Sequence, residues 1–225
     1  MSLDKQILVV EDRAEEAKVA EIVLREKGLI PYFIANNLKD ALTAIPNSRA
    51  ILTDLFFPLG GIPHEEYSKR FLPHYEAFAD IRYKKNDRNN PLVRAVEQVS
   101  GLFGITAEQY VEKIAPLFNH SKKEIDMITN ALAERENFDK YQKYLGVIES
   151  VRNGTNLPLG IIVAEEARKL GIPTVIVTST NHHDDAFEAV RSLAKVQYVD
   201  HFVNGRKAWK YGAELLMQEM GGASR

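Results

Sequence analysis

Apolar runs of strand length alternate with helical patterns at both ends of this chain, and this alternation restricts the fold more than any other feature. A strand buried on both faces is predicted over 5–10, where 7–10 is a continuous apolar run, and 13–27 carry apolar residues at helical spacing. A strand over 30–35, a helix over 38–45 and a strand over 50–53 follow. Two consecutive βαβ units predict an α/β domain with a parallel sheet and right-handed crossovers.

The alternation stops after Pro58 and does not resume until Pro158. No strand is predicted between 62 and 156, and two capping-box sequences, at 106–109 and 121–124, indicate helix starts. We expect four or five helices in this segment.

The second flank adds two more strands to the three of the first. Its predicted elements are a helix over 158–170, a strand over 174–177, a helix over 186–193, a strand over 198–203 and a helix over 206–220. Segment 62–156 is therefore predicted to be a helical insertion. The interrupted α/β domain would consist of 1–61 and 157–225.

Composition excludes several classes of protein. Hydrophobic residues make up 45% and charged residues 27% of the 225 residues, as in ordinary globular proteins. Cysteine is absent, which excludes disulfides and thiolate metal sites. A net charge of -2 argues against nucleic acid as a partner, because such binding needs a basic surface. Without a signal-peptide pattern or a membrane-length apolar run, we expect a cytoplasmic protein with no membrane partner.

Acidic residues follow two of the predicted strands. Glu11 and Asp12 come directly after the first strand, and Asp54 follows the third. Parallel strands that end at one edge of a sheet bring such side chains together, and carboxylate oxygens are ligands that Mg²⁺ prefers. The sequence therefore predicts a pocket that binds a cation and handles phosphate.

These segments resemble the receiver domain of bacterial response regulators. The resemblance rests on the run 7–12, on Asp54 with Pro58 four residues later, and on the run 173–178. It covers about 5–61 and 157–220. It implies a flavodoxin-like, doubly wound sheet of five parallel strands in the order 2-1-3-4-5, with the helical insertion between the third strand and the third helix of that fold.

The resemblance also implies a metal and phosphoryl site. Asp54 corresponds to the phosphoacceptor, Asp12 to a direct Mg²⁺ ligand and Glu11 to a ligand acting through water. The backbone carbonyl of Phe56 would complete the protein ligands. Such a cation offsets the repulsion between the attacking carboxylate and the phosphoryl group.

The phosphoryl-sensing half of the site follows the family less closely. Thr178 corresponds to the hydroxyl that bonds the phosphoryl group, and Tyr198 to the switch aromatic. Receiver domains place a lysine at the end of the fifth strand, where this chain has His201. Histidine would be a weaker, pH-dependent substitute. Lys207 is nearby in sequence but is predicted to lie one turn into the last helix.

We therefore expect a receiver-like signalling protein that accepts a phosphoryl group on Asp54 from a sensor kinase or a small phosphodonor. Output would pass to a protein partner through the insertion or the face near Tyr198. One alternative is a degenerate receiver that binds its partner independently of phosphorylation, an alternative motivated by the missing lysine and the bulky insertion. Another is a Mg²⁺-dependent phosphohydrolase with a helical cap, although the Asp-x-Asp pattern of such enzymes is absent after the first strand.

Two other polar segments have simpler interpretations. The run 182–185, His-His-Asp-Asp, fits a helix cap better than a metal cluster, because adjacent histidines seldom bind one ion. The basic residues within 82–88 are diluted by Asp80 and Asp87, and they fit a solvated loop between helices better than a site for nucleic acid or another anionic partner.

Overall fold

A computed structural model describes residues 5–83, 91–118, 121–179, 185–200, 202–203 and 205–222. Its centre is a five-stranded parallel sheet with strand order β2-β1-β3-β4-β5, which confirms the predicted flavodoxin-like topology. The strands are β1 (Gln6–Val10), β2 (Tyr32–Ala35), β3 (Ser48–Thr53), β4 (Thr174–Val177) and β5 (Gln197–Val199).

Helices cover both faces of the sheet. One face packs against α1 (Ala14–Glu26) and α10 (Trp209–Gly222), around a core that includes Val9, Leu52 and Val177. The helices α2 (Leu38–Ala44) and α7 (Leu159–Lys169) contact each other on the opposite side. The continuous apolar strands of the sequence are explained by this arrangement, because both of their faces are buried.

The segment between β3 and α7 is helical, which confirms the predicted insertion. Its elements are α3 (Glu65–Arg82), α4 (Pro91–Leu102), α5 (Ala107–Gln109) and α6 (Lys122–Arg152), with a π turn (Tyr110–Ile114) and a 3-10 turn (Ala115–Phe118) after α5. Both predicted capping boxes start helices: Thr106 and Gln109 bond reciprocally, as do Ser121 and Glu124.

The chain forms two compact units. The first, 1–75 with 147–225, contains the sheet, and the second is 76–146. The second unit has its own core, in which Val96, Tyr110 and Ile128 are buried. The unit boundaries fall within α3 and α6, inside the ends of the predicted insertion 62–156.

The C-terminal part of the sheet unit differs from the sequence prediction. The strand predicted over 198–203 ends at Val199, and a two-stranded antiparallel hairpin follows, made of β6 (Phe202–Val203) and β7 (Arg206–Lys207). The last helix begins at Trp209, three residues later than predicted. The helix predicted over 186–193 is divided into α8 (Asp185–Glu188) and α9 (Arg191–Ala194).

Among the described residues, no helix combines the length and the apolar character needed to cross a membrane.

Candidate active site

Three carboxylates meet at the carboxyl edge of the sheet, as predicted. Strands β1 and β3 are neighbours with Val10 opposite Thr53, so both end at the same level. Each of Glu11, Asp12 and Asp54 offers one oxygen, and these oxygens all lie within 4.8 Å of one another. We call these three residues the acidic pocket.

Hydrogen bonds from the backbone fix the two buried carboxylates of the acidic pocket. The N–H of Leu55 donates to Oδ1 of Asp54 at 2.7 Å, and the N–H of Arg13 donates to Oε1 of Glu11 at 3.1 Å. Asp54 is 5% exposed and Glu11 is 1% exposed, whereas Asp12 is open to solvent. One oxygen of each buried carboxylate therefore accepts a hydrogen bond from the backbone, and the other oxygen contacts a different partner.

Burial raises the pKa of both carboxyl groups. The pKa of Glu11 rises to about 7, because burial and the nearby charge of Asp54 outweigh the attraction of Lys207. The pKa of Asp54 is also raised, mainly by burial, with Lys207 acting in the opposite direction. A cation in the pocket would favour the charged form of both groups.

Lys207 is the partner of both buried carboxylates. Its Nζ lies 2.7 Å from Oδ2 of Asp54 and also contacts Oε2 of Glu11. The lysine is itself 3% exposed. The prediction that Lys207 lies one turn into the last helix was therefore wrong: it ends β7, ahead of that helix, and its side chain enters the pocket.

The hairpin after β5 explains how a lysine so far along the chain reaches Asp54. Strand β7 returns antiparallel to β6, with Lys207 opposite Phe202, and the chain then enters α10 through Ala208. A sequence signal for this hairpin exists in the dipeptide Asn204-Gly205, which is typical of two-residue hairpin turns. The apolar pattern over 198–203 instead predicts one continuous strand, and for that reason the lysine was not predicted at the site.

A buried polar contact fixes the segment that follows Lys207. The indole N–H of Trp209 donates to Oε2 of Glu16 on α1 at 3.0 Å, and both side chains are buried. The Nζ of Lys207 lies 5.7 Å from the centre of the Trp209 ring. The start and the position of α10 are thereby tied to α1 beside the pocket.

Thr178 directly follows β4, and Tyr198 lies on the neighbouring strand β5. Thr178 is fully buried and follows β4, and its N–H continues the ladder by donating to the carbonyl of Val199 at 2.9 Å. Tyr198 is opposite Ile176, two residues before Thr178, so alternation along the strands places Thr178 and Tyr198 on the same face. The half-buried Tyr198 ring packs edge-on against Phe187 at 5.1 Å between centroids.

Some predicted site residues lie outside the described residues. These are His201, most of the run 182–185, and the basic residues from 84 onward. Phe56 is described and half-buried, two residues beyond Asp54. Its carbonyl remains a predicted ligand.

The acidic pocket fits a hard divalent cation. Three carboxylates face Lys207 and the exposed Arg13, whose Nε lies 3.7 Å from Oε1 of Glu11, so the described charges leave an excess of negative charge when all are ionised. Oxygen donors of this kind suit Mg²⁺. Glu11, Asp12 and Asp54 are the residues that would hold it.

The start of α7 packs directly on the backbone of Asp54. The N–H of Gly160 donates to the carbonyl of Leu55 at 3.0 Å. A Cβ atom at Gly160 would overlap the carbonyl oxygen of Asp54. Only glycine fits this contact without a shift of the backbone.

Together the fold and the pocket define a class: a flavodoxin-like α/β protein with a lysine-bridged acidic pocket at the carboxyl edge of its sheet. No family model matches the chain, and no solved structure matches it. A linoleate 10R-lipoxygenase of Aspergillus fumigatus is similar, with 31% identity over 157 residues. The match takes in 63% of this chain and 14% of the fungal protein, so the chain spans only a small part of that relative.

Proposed function

We propose that the chain is a receiver-like signalling protein in which Asp54 accepts a phosphoryl group with Mg²⁺ bound and the output passes through protein contacts. The observation that carries the proposal is the position of Lys207. Its ammonium group lies 2.7 Å from Oδ2 of Asp54 within the acidic pocket. A carboxylate, a hard-cation site and a fixed ammonium group are the components that phosphoryl acceptance by aspartate needs.

The chain's own residues orient the attacking group. The N–H of Leu55 holds Oδ1 of Asp54, and Lys207 holds Oδ2, so the carboxylate cannot rotate freely. An oxygen of Asp54 forms the new O–P bond while the donor's bond to phosphorus breaks, and the leaving group takes that electron pair. Lys207 then faces a phosphoryl group instead of a bare carboxylate, and charge-assisted hydrogen bonds hold it there.

Mg²⁺ held by Glu11, Asp12 and Asp54 would offset the negative charge of the phosphoryl oxygens and orient them. Thr178, buried beyond the end of the neighbouring strand, supplies a hydroxyl to the phosphoryl group. A shift of Thr178 toward that group would change the space available to Tyr198 on the same face.

The proposed donors are a sensor kinase or a small phosphodonor, and the proposed partner is a protein that reads the Tyr198 face or the insertion. The contact of Gly160 with the Asp54 backbone supports a role for the insertion, because α7 follows the insertion directly in the chain. A change at Asp54 would act on the start of this helix.

The position of Lys207 also bears on the alternative of a phosphorylation-independent receiver. That alternative was motivated by the lack of a lysine at the end of the fifth strand and by the bulky insertion. A lysine that bonds Asp54 from β7 removes the first of these motives.

The test is to incubate the protein with phosphoramidate and Mg²⁺ and to measure intact mass. We expect one added phosphoryl group in the wild type and none in Asp54→Asn. Asp40→Asn is the matched control, because Asp40 is an exposed aspartate on α2 outside the pocket. An adduct that persists in Asp54→Asn, or the lack of one in the wild type with several donors, would contradict the proposal.

A further inference from the structure

A cavity of about 420 Å³ lies beside the acidic pocket. It is lined by Asp12, by the loop 56–59 that follows Asp54, and by residues 154–157. We call 154–157 the return segment, because it joins the end of α6 to the start of α7. The volume is that of a small-molecule site.

The return segment is a fixed wall of this cavity. The N–H and the hydroxyl of Thr155 both donate to the carbonyl of Ser150, which closes the end of α6. Gly154 has a positive φ of 73° and packs so closely on His64 that a Cβ atom would overlap that side chain. Leu157 is 2% exposed and anchors the other end. Thr155 and Asn156, which lie between Gly154 and Leu157, are therefore held in place before any ligand arrives.

The polar groups of the cavity favour a neutral ligand. The described lining includes no lysine or arginine that could balance an anion, and Asp12, its one charged residue, would be engaged by the cation of the acidic pocket. The hydroxyl of Thr155 already donates its hydrogen bond to the carbonyl of Ser150 in α6. Asn156 is exposed, and its amide makes no hydrogen bond to another described residue, so it can both donate and accept.

We propose that the cavity receives the leaving group of the phosphoryl donor and that Asn156 is a specificity-determining residue for it; this inference rests on the proposed function. The cavity adjoins the acidic pocket through Asp12, so the donor can extend into it while its phosphoryl group faces Asp54. The insertion thus contributes to donor choice through the return segment.

The two main kinds of leaving group differ in charge. When Asp54 attacks phosphoimidazole, the P–N bond breaks, its electron pair passes to the ring nitrogen, and that nitrogen takes a proton from solvent and leaves neutral. When it attacks acetyl phosphate, the P–O bond breaks and acetate leaves as an anion. The described lining offers no lysine or arginine to balance the charge of acetate, whereas the Asn156 amide can hydrogen-bond the second nitrogen of an imidazole. The cavity therefore selects the neutral nitrogen heterocycle.

The experiment compares phosphorylation rates from phosphoimidazole and acetyl phosphate at saturating Mg²⁺, followed by intact mass. Asn156→Leu keeps the size of the side chain and removes its hydrogen bonds. We expect a three- to tenfold loss of rate with phosphoimidazole, the effect of about one neutral hydrogen bond, and less than a twofold change with acetyl phosphate. Asn153→Leu is the matched control, because its amide bonds Glu149 and it does not line the cavity.

A second variant guards against a general folding defect. Asn156→Asp keeps the size of the side chain and adds a negative charge. It should therefore lower the phosphorylation rate with acetyl phosphate at least threefold more than the rate with phosphoimidazole. Equal losses with both donors in both variants, or no loss in either, would overturn the inference while the proposed function stands. A wild-type protein that forms no adduct with either donor would overturn the proposed function as well.

Discussion

Lys207 compensates two buried carboxylates, those of Glu11 and Asp54. A buried charge left without its partner costs far more free energy than the pair contributes when intact, because desolvation is no longer offset. Removal of this lysine therefore tests the arrangement of the acidic pocket independently of phosphorylation.

We predict that Lys207→Met lowers the free energy of unfolding by about 3–5 kcal/mol at pH 8 without metal, since Glu11 and Asp54 lose their common cation. Saturating Mg²⁺ should recover part of this loss. Urea unfolding with and without Mg²⁺ measures both effects.

Lys210→Met is the control for this substitution, because Lys210 is exposed on α10 three residues further along. It should change the free energy of unfolding by less than about 0.5 kcal/mol. Similar losses in the two variants would mean that Lys207 contributes no more than a surface lysine.

A second residue-scale prediction concerns the pH dependence of Glu11. Its pKa is about 7 in the folded protein, against an ordinary value of 4.5, so the folded protein holds a proton that the unfolded chain releases between these values. The free energy of unfolding of the wild type minus that of Glu11→Gln should therefore fall as the pH rises from about 4.5 to 7, by at most about 1.4 kcal/mol per pH unit. Urea titrations of both proteins in a chelating buffer measure this difference.

Above pH 7 this difference should level off, since Glu11 is then ionised in both states. A difference that stays flat across the whole range would show that Lys207 keeps Glu11 ionised even below neutral pH.

Among the elements, the hairpin β6–β7 shows why part of the site could not be predicted. The alternation of strands and helices predicted the sheet and the position of the acidic pocket, because strand ends follow directly from apolar runs. The position of Lys207 depends on the antiparallel return of β7 along β6, and the apolar pattern of the sequence does not indicate that return. A count of residues from β5 therefore led to His201, which lies outside the described residues, while the ammonium group at Asp54 comes from Lys207.

The start of α7 gives an element-scale prediction. Gly160→Ala places a methyl group against the carbonyl of Asp54, so the helix must shift. We expect a loss of about 1–3 kcal/mol in the free energy of unfolding, as for an overpacked core, and slower phosphorylation of Asp54. Urea unfolding and intact mass measure the two effects.

Gly146→Ala is the corresponding control within α6, since a Cβ atom there meets no atom within 4 Å. An alanine in an open helical position should raise the free energy of unfolding by about 0.5–1 kcal/mol. If both variants gained stability, the close contact between α7 and Asp54 would be absent in solution.

For the whole molecule, the two compact units predict a particular response to metal. The acidic pocket belongs to the unit 1–75 with 147–225, and the unit 76–146 has a separate core. A ligand stabilises only the structure that binds it, by about 2.7 kcal/mol at a hundred times its Kd. Calorimetry should therefore show a Mg²⁺-dependent rise in Tm for one transition and no shift for the other.

Asp12→Asn should abolish this rise, because Asp12 is the exposed carboxylate of the acidic pocket. Two transitions that shift equally with Mg²⁺, or a single transition throughout, would show that the units unfold together.

Trp209 is the chain's one tryptophan among 225 residues, and its ring lies 5.7 Å from the ammonium nitrogen that contacts Asp54. Indole emission responds to a nearby charge and to the hydrogen bond of its N–H, which here goes to Glu16. Any event that draws Lys207 toward a new anion therefore alters the fluorescence of the single tryptophan, which is buried. The emission of Trp209 can therefore report the binding of an anion or a cation in the acidic pocket without an added label.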